Sequence, residues 1–175
     1  MKFSILVPVY NEEKTVIQIL ERLNKTKPEN LEYEIIVIND GSKDNTLELL
    51  EKNKNLYSKL INNEKNFGKG YSVKEGLKTA NGEYIIFQDA DLEYDPIDFE
   101  SFGKVCRNFD ADVVIGSRFV YKNYTRSHYI LNKIGNVILT FIFNLLYNTT
   151  FTDIYSCYLC FKKNLLNPND LKTNG

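Results

Sequence analysis

Residues 84–93 form an apolar run, Tyr84-Ile85-Ile86-Phe87-Gln88, that opens into Asp89, Asp91 and Glu93, each two positions from the next. In an extended backbone side chains alternate faces, so this spacing aims the carboxyl groups the same way. Hard oxygen ligands at a strand mouth suit Mg²⁺ or Mn²⁺, which proteins commonly hold through one or two carboxylates and the phosphates of a substrate. Taken alone, the segment reads equally well as an acidic strand exit left in water.

The elements that must position these residues follow from periodicity. Short β-branched runs alternate with stretches of helical period, the pattern of a parallel sheet with crossover helices. Phe3 to Val9 reads as the first strand. Asn11 reads as the cap of a helix with Glu12 and Glu13 in its first turn and Val16, Ile19, Leu20 and Leu23 as its apolar stripe. Glu34 to Ile38, Lys59 to Asn62, Tyr84 to Gln88 and Val113 to Ile115 read as further strands, Tyr71 to Thr79 as a helix, and Pro96 as the first residue of another. The expected core is a doubly wound α/β unit over residues 1–118. Ligands of such sheets bind beyond the carboxyl ends of the strands. Tyr10-Asn11, Asn39-Asp40, Asp89 to Asp91 and Gly116-Ser117-Arg118 all fall there, and that convergence favours the metal reading.

Bulk properties narrow the choice. The 175 residues carry 22 Lys+Arg against 23 Asp+Glu, a net charge of -1, so no broad basic field favours nucleic acid. Three cysteines, behind an amino terminus that reaches Pro8 and then charge too early for a signal segment, argue against a disulfide framework and for the cytoplasm. Cys157 and Cys160 are spaced C-x-x-C, but their neighbours Tyr158, Leu159 and Phe161 favour a strand core over a metal pair. From Tyr129 to Tyr147 an apolar stretch is interrupted by Asn132, Lys133, Asn136 and Asn144. Its unbroken part falls short of the roughly 20 residues of a spanning helix. It is expected to lie on a membrane interface beside Arg126, His128 and Lys133, or on the sheet or a second subunit.

The segments 7–12 (Val-Pro-Val-Tyr-Asn-Glu), 36–46 (Ile-Val-Ile-Asn-Asp-Gly-Ser-Lys-Asp-Asn-Thr), 66–70 (Asn-Phe-Gly-Lys-Gly), 88–93 and 116–118 together resemble the family 2 inverting glycosyltransferases. The resemblance is to the branch that makes polyprenyl-phosphate sugars, such as the dolichyl-phosphate mannose synthases. A looser match continues through Asp153 to Tyr158 and Phe161-Lys162-Lys163. The resemblance implies a mostly parallel, doubly wound sheet of the nucleotide-diphospho-sugar transferase (GT-A) type. It also implies an amphipathic helical appendage and a terminal strand over 119–175, meeting acceptor and membrane and shorter than in relatives.

By the same resemblance, Pro8, Tyr10 and Glu12 line the nucleoside pocket, while the Ile38 backbone and Asp40 hold base or ribose. Asp89, Ala90 and Asp91 form the Asp-x-Asp motif at the diphosphate; Mg²⁺ or Mn²⁺ sits on Asp89, Asp91 and Glu93. Arg118 clamps a phosphate, so Asp91 and Arg118 are the implied catalytic residues. Asn39 departs from the aspartate that many relatives carry. The implied reaction moves a sugar from a nucleoside-diphosphate donor to a polyprenyl (dolichyl-type) phosphate, with inversion, at the cytoplasmic face of a membrane. An acceptor that is already an anion needs no general base, so the single histidine, His128, takes no catalytic role. Asp153 is an optional helper. The rival expectation is a non-catalytic nucleotide-sugar-binding or membrane-docking module without the family's closing elements.

Overall fold

The computed structural model describes residues 1–28, 31–117 and 130–172. Strands β1 (Lys2–Val9), β2 (Glu32–Asn39), β3 (Lys59–Asn62), β4 (Tyr84–Phe87), β5 (Val113–Ile115) and β6 (Leu159–Lys162) alternate with helices α1 (Val16–Lys25), α2 (Thr46–Lys52), α3 (Lys69–Thr79), α4 (Phe99–Phe109) and α5 (Ile130–Tyr147). The sheet order is β3-β2-β1-β4-β6-β5. β1 lies parallel to β2 and β4, and β2 parallel to β3, whereas β6 runs antiparallel to β4.

The central strands form because their β-branched runs can be buried on both faces. Ile5, Leu6, Val7, Ile36, Val37 and Ile38 are fully buried. At about 1.5–3 kcal/mol for each large apolar side chain removed from water, this cluster dominates the cohesion of the sheet. α1 buries the expected stripe of Val16, Ile19, Leu20 and Leu23. It begins later than the sequence suggests, because Asn11 adopts φ 57° and its Oδ1 accepts from the Lys43 N–H at 2.8 Å. Asn11 thus fastens two loops and caps nothing. Pro96 opens a short 3-10 turn, Pro96–Asp98, capped by Asp95 and running into α4.

The chain folds as two compact units, Met1–Val114 with Cys160–Gly175, and Ile115–Leu159. The appendage expected over 119–175 is therefore divided. Its terminal strand returns to the sheet, where Cys160 and Phe161 register with Ile86 and Ile85. The C-x-x-C spacing dissolves for the same reason: Cys157 is exposed, whereas Cys160 is buried with its Sγ 3.9 Å from that of Cys106 on α4.

At the amino end of the parallel strands the buried Glu34 accepts from the Ser4 hydroxyl at 2.7 Å and the Asn81 N–H at 2.5 Å, and Gly82 N–H donates to Ser4 Oγ at 2.7 Å. Burial pushes the Glu34 carboxyl up, but the bonds from Asn81 and Ser4 and the nearby Lys2 ammonium outweigh it and hold it below its ordinary value. No side chain fits at Gly82, where a Cβ would lie 2.5 Å from the Ser4 nitrogen.

The second unit is organised around α5, whose amphipathicity is inverted. Asn136, Thr140 and Asn144 recur every fourth residue and so share one stripe. Asn136 donates to Asp153 at 2.8 Å, Thr140 to Asn136 at 3.1 Å, and Asn144 both donates to the Phe151 carbonyl at 2.8 Å and accepts from its N–H at 2.9 Å. Asn136, Thr140 and Asp153 are buried, while Leu131, Phe141, Leu145 and Leu146 are 66–80% exposed. Of the asparagines that interrupt the apolar run in sequence, Asn136 and Asn144 lie on the inward seam of the helix and Asn132 is exposed. Among the described residues no helix is long and apolar enough to cross a membrane.

Candidate active site

A cleft of about 340 Å³ opens in the first unit where β1, β2 and β4 end. Pro8, Tyr10 and Glu12 reach it from β1, Asp40 from β2, Gly68, Lys69 and Ser72 from the start of α3, and Asp89, Ala90 and Asp91 from the turn after β4. Three of the four strand ends expected to converge therefore do so. Gly116 and Ser117 belong to the second unit, and Arg118 lies outside the described residues. Ile38 is fully buried in β2 and does not line the cleft.

Two loops of the rim are laced together by backbone donors. Asn11 N–H donates to Ser42 Oγ at 3.0 Å, Glu12 N–H to Thr46 Oγ1 at 2.9 Å, and Glu13 N–H to Asp44 Oδ2 at 3.1 Å. Slight burial pushes the Asp44 carboxyl up; bonds from the Thr46 hydroxyl and N–H and from Glu13 overcome this and hold it below its ordinary value. Asn39, buried at the end of β2, donates to Asn62 at 2.7 Å and accepts from the Ser42 hydroxyl at 2.5 Å. An amide can do both, whereas an ionised carboxylate only accepts, which accounts locally for asparagine at this position.

Asp40 is buried, and its Oδ1 accepts from Asn63 Nδ2 at 2.8 Å and Phe67 N–H at 3.1 Å, its Oδ2 from Gly68 N–H at 2.8 Å. Its carboxylate is the anchor of the loop that leads into α3. The adjoining Gly41 stands at φ +65°, where a Cβ would lie 2.4 Å from the Lys65 carbonyl carbon. That close approach lets the two loops meet, and only glycine permits it.

The acidic segment is not extended. β4 stops at Phe87, the chain turns with Leu92 at φ 63°, and the Glu93 N–H folds back onto Asp91 Oδ1 at 2.9 Å. The two-residue spacing therefore does not aim three carboxyl groups together: Asp89 and Asp91 line the cleft and Glu93 does not. Among the described residues no three His, Cys, Asp or Glu side chains form a group that could hold a metal ion. Asp89 Oδ1 instead bears the Lys69 ammonium at 2.5 Å, a cation at the oxygen where a divalent ion is expected. Two cleft carboxylates with an accessible cation position fit Mg²⁺ or Mn²⁺ that takes its remaining ligands from phosphates and water. Lys69 is the site residue that sequence reasoning passed over. Its signal was the Asn-Phe-Gly-Lys-Gly motif, in which the lysine follows Gly68 at φ +89° and opens α3.

The class that this sheet and cleft define is the GT-A glycosyltransferase. Staphylococcus aureus TarS residues 1–349, solved in complex with UDP-GlcNAc, matches 97% of the chain at a TM-score of 0.70 and 26% identity, the chain covering 48% of it. Mycobacterium tuberculosis glucosyl-3-phosphoglycerate synthase, solved with Mn²⁺, UDP and glucosyl-3-phosphoglycerate, shares the fold at a TM-score of 0.68 and 18% identity, over 94% of this chain and 58% of that one. The chain belongs to glycosyl transferase family 2, whose sequence model matches residues 4–167. A Trichomonas vaginalis dolichyl-phosphate beta-glucosyltransferase is 34% identical over 139 residues, 71% of this chain. The chain spans 42% of that relative's length.

Proposed function

We propose that the cleft binds a nucleoside-diphosphate sugar and that its sugar passes, with inversion, to a polyprenyl phosphate at a membrane surface on the cytoplasmic side. The observation that carries the reading is the meeting of Asp89, Asp91 and Lys69 with Tyr10 and Glu12 on one cleft. Tyr10 is 39% exposed and offers an aromatic face to a nucleoside; Glu12 offers a carboxylate to its hydroxyl or N–H groups. Asp89 and Asp91 would hold Mg²⁺ or Mn²⁺, which when bound supplies positive charge to the departing diphosphate.

In the reaction a phosphate oxygen of the acceptor attacks the anomeric carbon from the face opposite the leaving group. A new C–O bond forms as the bond to the diphosphate breaks, and its electron pair leaves with the nucleoside diphosphate. Lys69 sets a positive charge beside the leaving group, and Arg118 keeps the phosphate-clamping role that the family resemblance implies. The acceptor phosphate is anionic before attack, so no residue need remove a proton. The exposed apolar face of α5 supports the membrane part of the reading, because that face meets water poorly and a lipid interface well. The similarity to the Trichomonas dolichyl-phosphate beta-glucosyltransferase supports a lipid-phosphate acceptor.

Calorimetry with UDP and GDP, with and without Mn²⁺, tests the site. Metal-enhanced binding that Asp91→Asn abolishes is the expected result, and absence of binding to either nucleotide sinks the reading. Radiolabelled sugar recovered in a lipid extract then establishes transfer. Donor binding without transfer favours the non-catalytic module.

A further inference from the structure

Gln88 is the last residue before the acidic turn, and its side chain is completely buried. Its Nε2 donates to two carbonyls of that turn, Asp89 and Tyr94, each at 3.1 Å. These bonds pull the two ends of segment 89–94 toward one amide, closing the chain reversal that carries Asp89 and Asp91 to the cleft. The backbone side of Gln88 is fixed as well, its N–H donating to the Leu6 carbonyl on β1 at 3.0 Å. The opposite atom of the amide, Oε1, is buried and meets no donor among the described residues. The two carbonyl acceptors beside Nε2 settle which way the amide points. A buried acceptor left open is unfavourable, and it persists where the surroundings over-determine the side chain.

We propose that Gln88 is a positioning residue, a clamp that sets the separation and direction of the two carboxylates and thereby tunes the affinity of the site for a divalent cation and diphosphate. The proposal rests on the donor-site reading above. Gln88 does not line the cleft. Its action runs through the backbone of residues 89–94. The turn also contains Leu92 in the left-handed region, so two causes compete for its shape: the Gln88 clamp and the local preference of residue 92.

The test is calorimetric titration of UDP and GDP, each with and without Mn²⁺, into wild type, Gln88→Met, Gln88→Glu and Leu92→Gly, with thermal unfolding of each. Gln88→Met keeps the volume and deletes both donors, and Gln88→Glu puts an acceptor against two carbonyls. Both should lose at least about tenfold in Mn²⁺-supported affinity, as expected when an outer partner of a metal site is removed, while metal-free affinity stays within about twofold. Leu92→Gly, which leaves the clamp in place, should keep Mn²⁺-supported affinity within about twofold. Equal metal enhancement in wild type and both Gln88 variants overturns the proposal. So does a matching loss with and without metal, which would mark Gln88 as a general packing residue. If the Gln88 variants do not fold, a tenfold loss in Leu92→Gly assigns the turn to residue 92 and overturns the clamp. Wild type binding neither nucleotide is a separate failure, that of the donor site itself.

Discussion

Strand β2 has a buried carboxylate at each end, Glu34 near its start and Asp40 just past its finish, and the two are used in opposite ways. Glu34 takes its hydrogen bonds from Ser4 and Asn81 in a network that meets no residue of the cleft. Asp40 takes its bonds from Phe67, Gly68 and Asn63, a loop whose outer surface is the wall of the cleft. Both are compensated buried charges. The difference lies in what their donors do next: at one end they close a core, at the other they shape a binding site. Stability and recognition are thus separated along a single strand.

The comparison breaks most sharply at the two glycines that sit beside these carboxylates. A Cβ would lie 2.5 Å from backbone at Gly82 and 2.4 Å from backbone at Gly41. Gly82→Ala and Gly41→Ala should each cost about 3 kcal/mol by denaturant midpoint. Only Gly41→Ala should also weaken nucleotide binding by the protein that remains folded. Equal binding losses in both variants would erase the distinction between the two ends.

Glu34→Gln gives the next effect, a loss of about 1–2 kcal/mol near neutral pH. Its pH dependence follows from the sign of the shift. The folded carboxyl lies below its ordinary value of 4.5, so its contribution is fully present above that pH and fades as pH falls through the folded value. Wild-type and variant unfolding curves should therefore converge in acid. A gap that is constant with pH would show that charge at Glu34 is irrelevant.

The smallest stability change should come from Lys69→Met. The ion pair with Asp89 is partly exposed, and such pairs contribute at most about 1 kcal/mol. Thermal unfolding should barely move, whereas nucleoside-diphosphate affinity should fall about tenfold through loss of a charge-assisted contact. A large stability loss with binding unchanged would place Lys69 with Glu34, on the structural side of the comparison.

Periodicity made the parallel strands legible in the sequence, because Ile5 to Val7 and Ile36 to Ile38 are buried on both faces and so leave an unbroken apolar record. The α1 stripe and the convergence of three strand ends were legible for similar reasons. The turn after Phe87 was not: its shape depends on the Gln88 amide and on a left-handed leucine, and neither has a spacing signature. Nor was the inverted face of α5, since the same asparagines interrupt an apolar run whether they face water or a buried seam. Asp40 was recognised as a site residue, but its commitment to three nitrogen donors is a long-range fact, visible only once residues 63–68 are folded against it.

The antiparallel insertion of β6 bears on the order in which the chain is assembled. β1 pairs with β2 and β4 using residues that are all synthesised by position 87, so the partners of the central strands are available early. β5, by contrast, lies at the sheet margin with β6 as its neighbour, and among the described strands β6 is the last in chain order. Until residues 159–162 emerge, the outer edge of β4 has no partner and offers unpaired backbone groups to any other nascent chain. The strand that covers this edge of β4 therefore follows in the chain every strand of the parallel group. In the interval before it is made, that edge of β4 is open to misassociation.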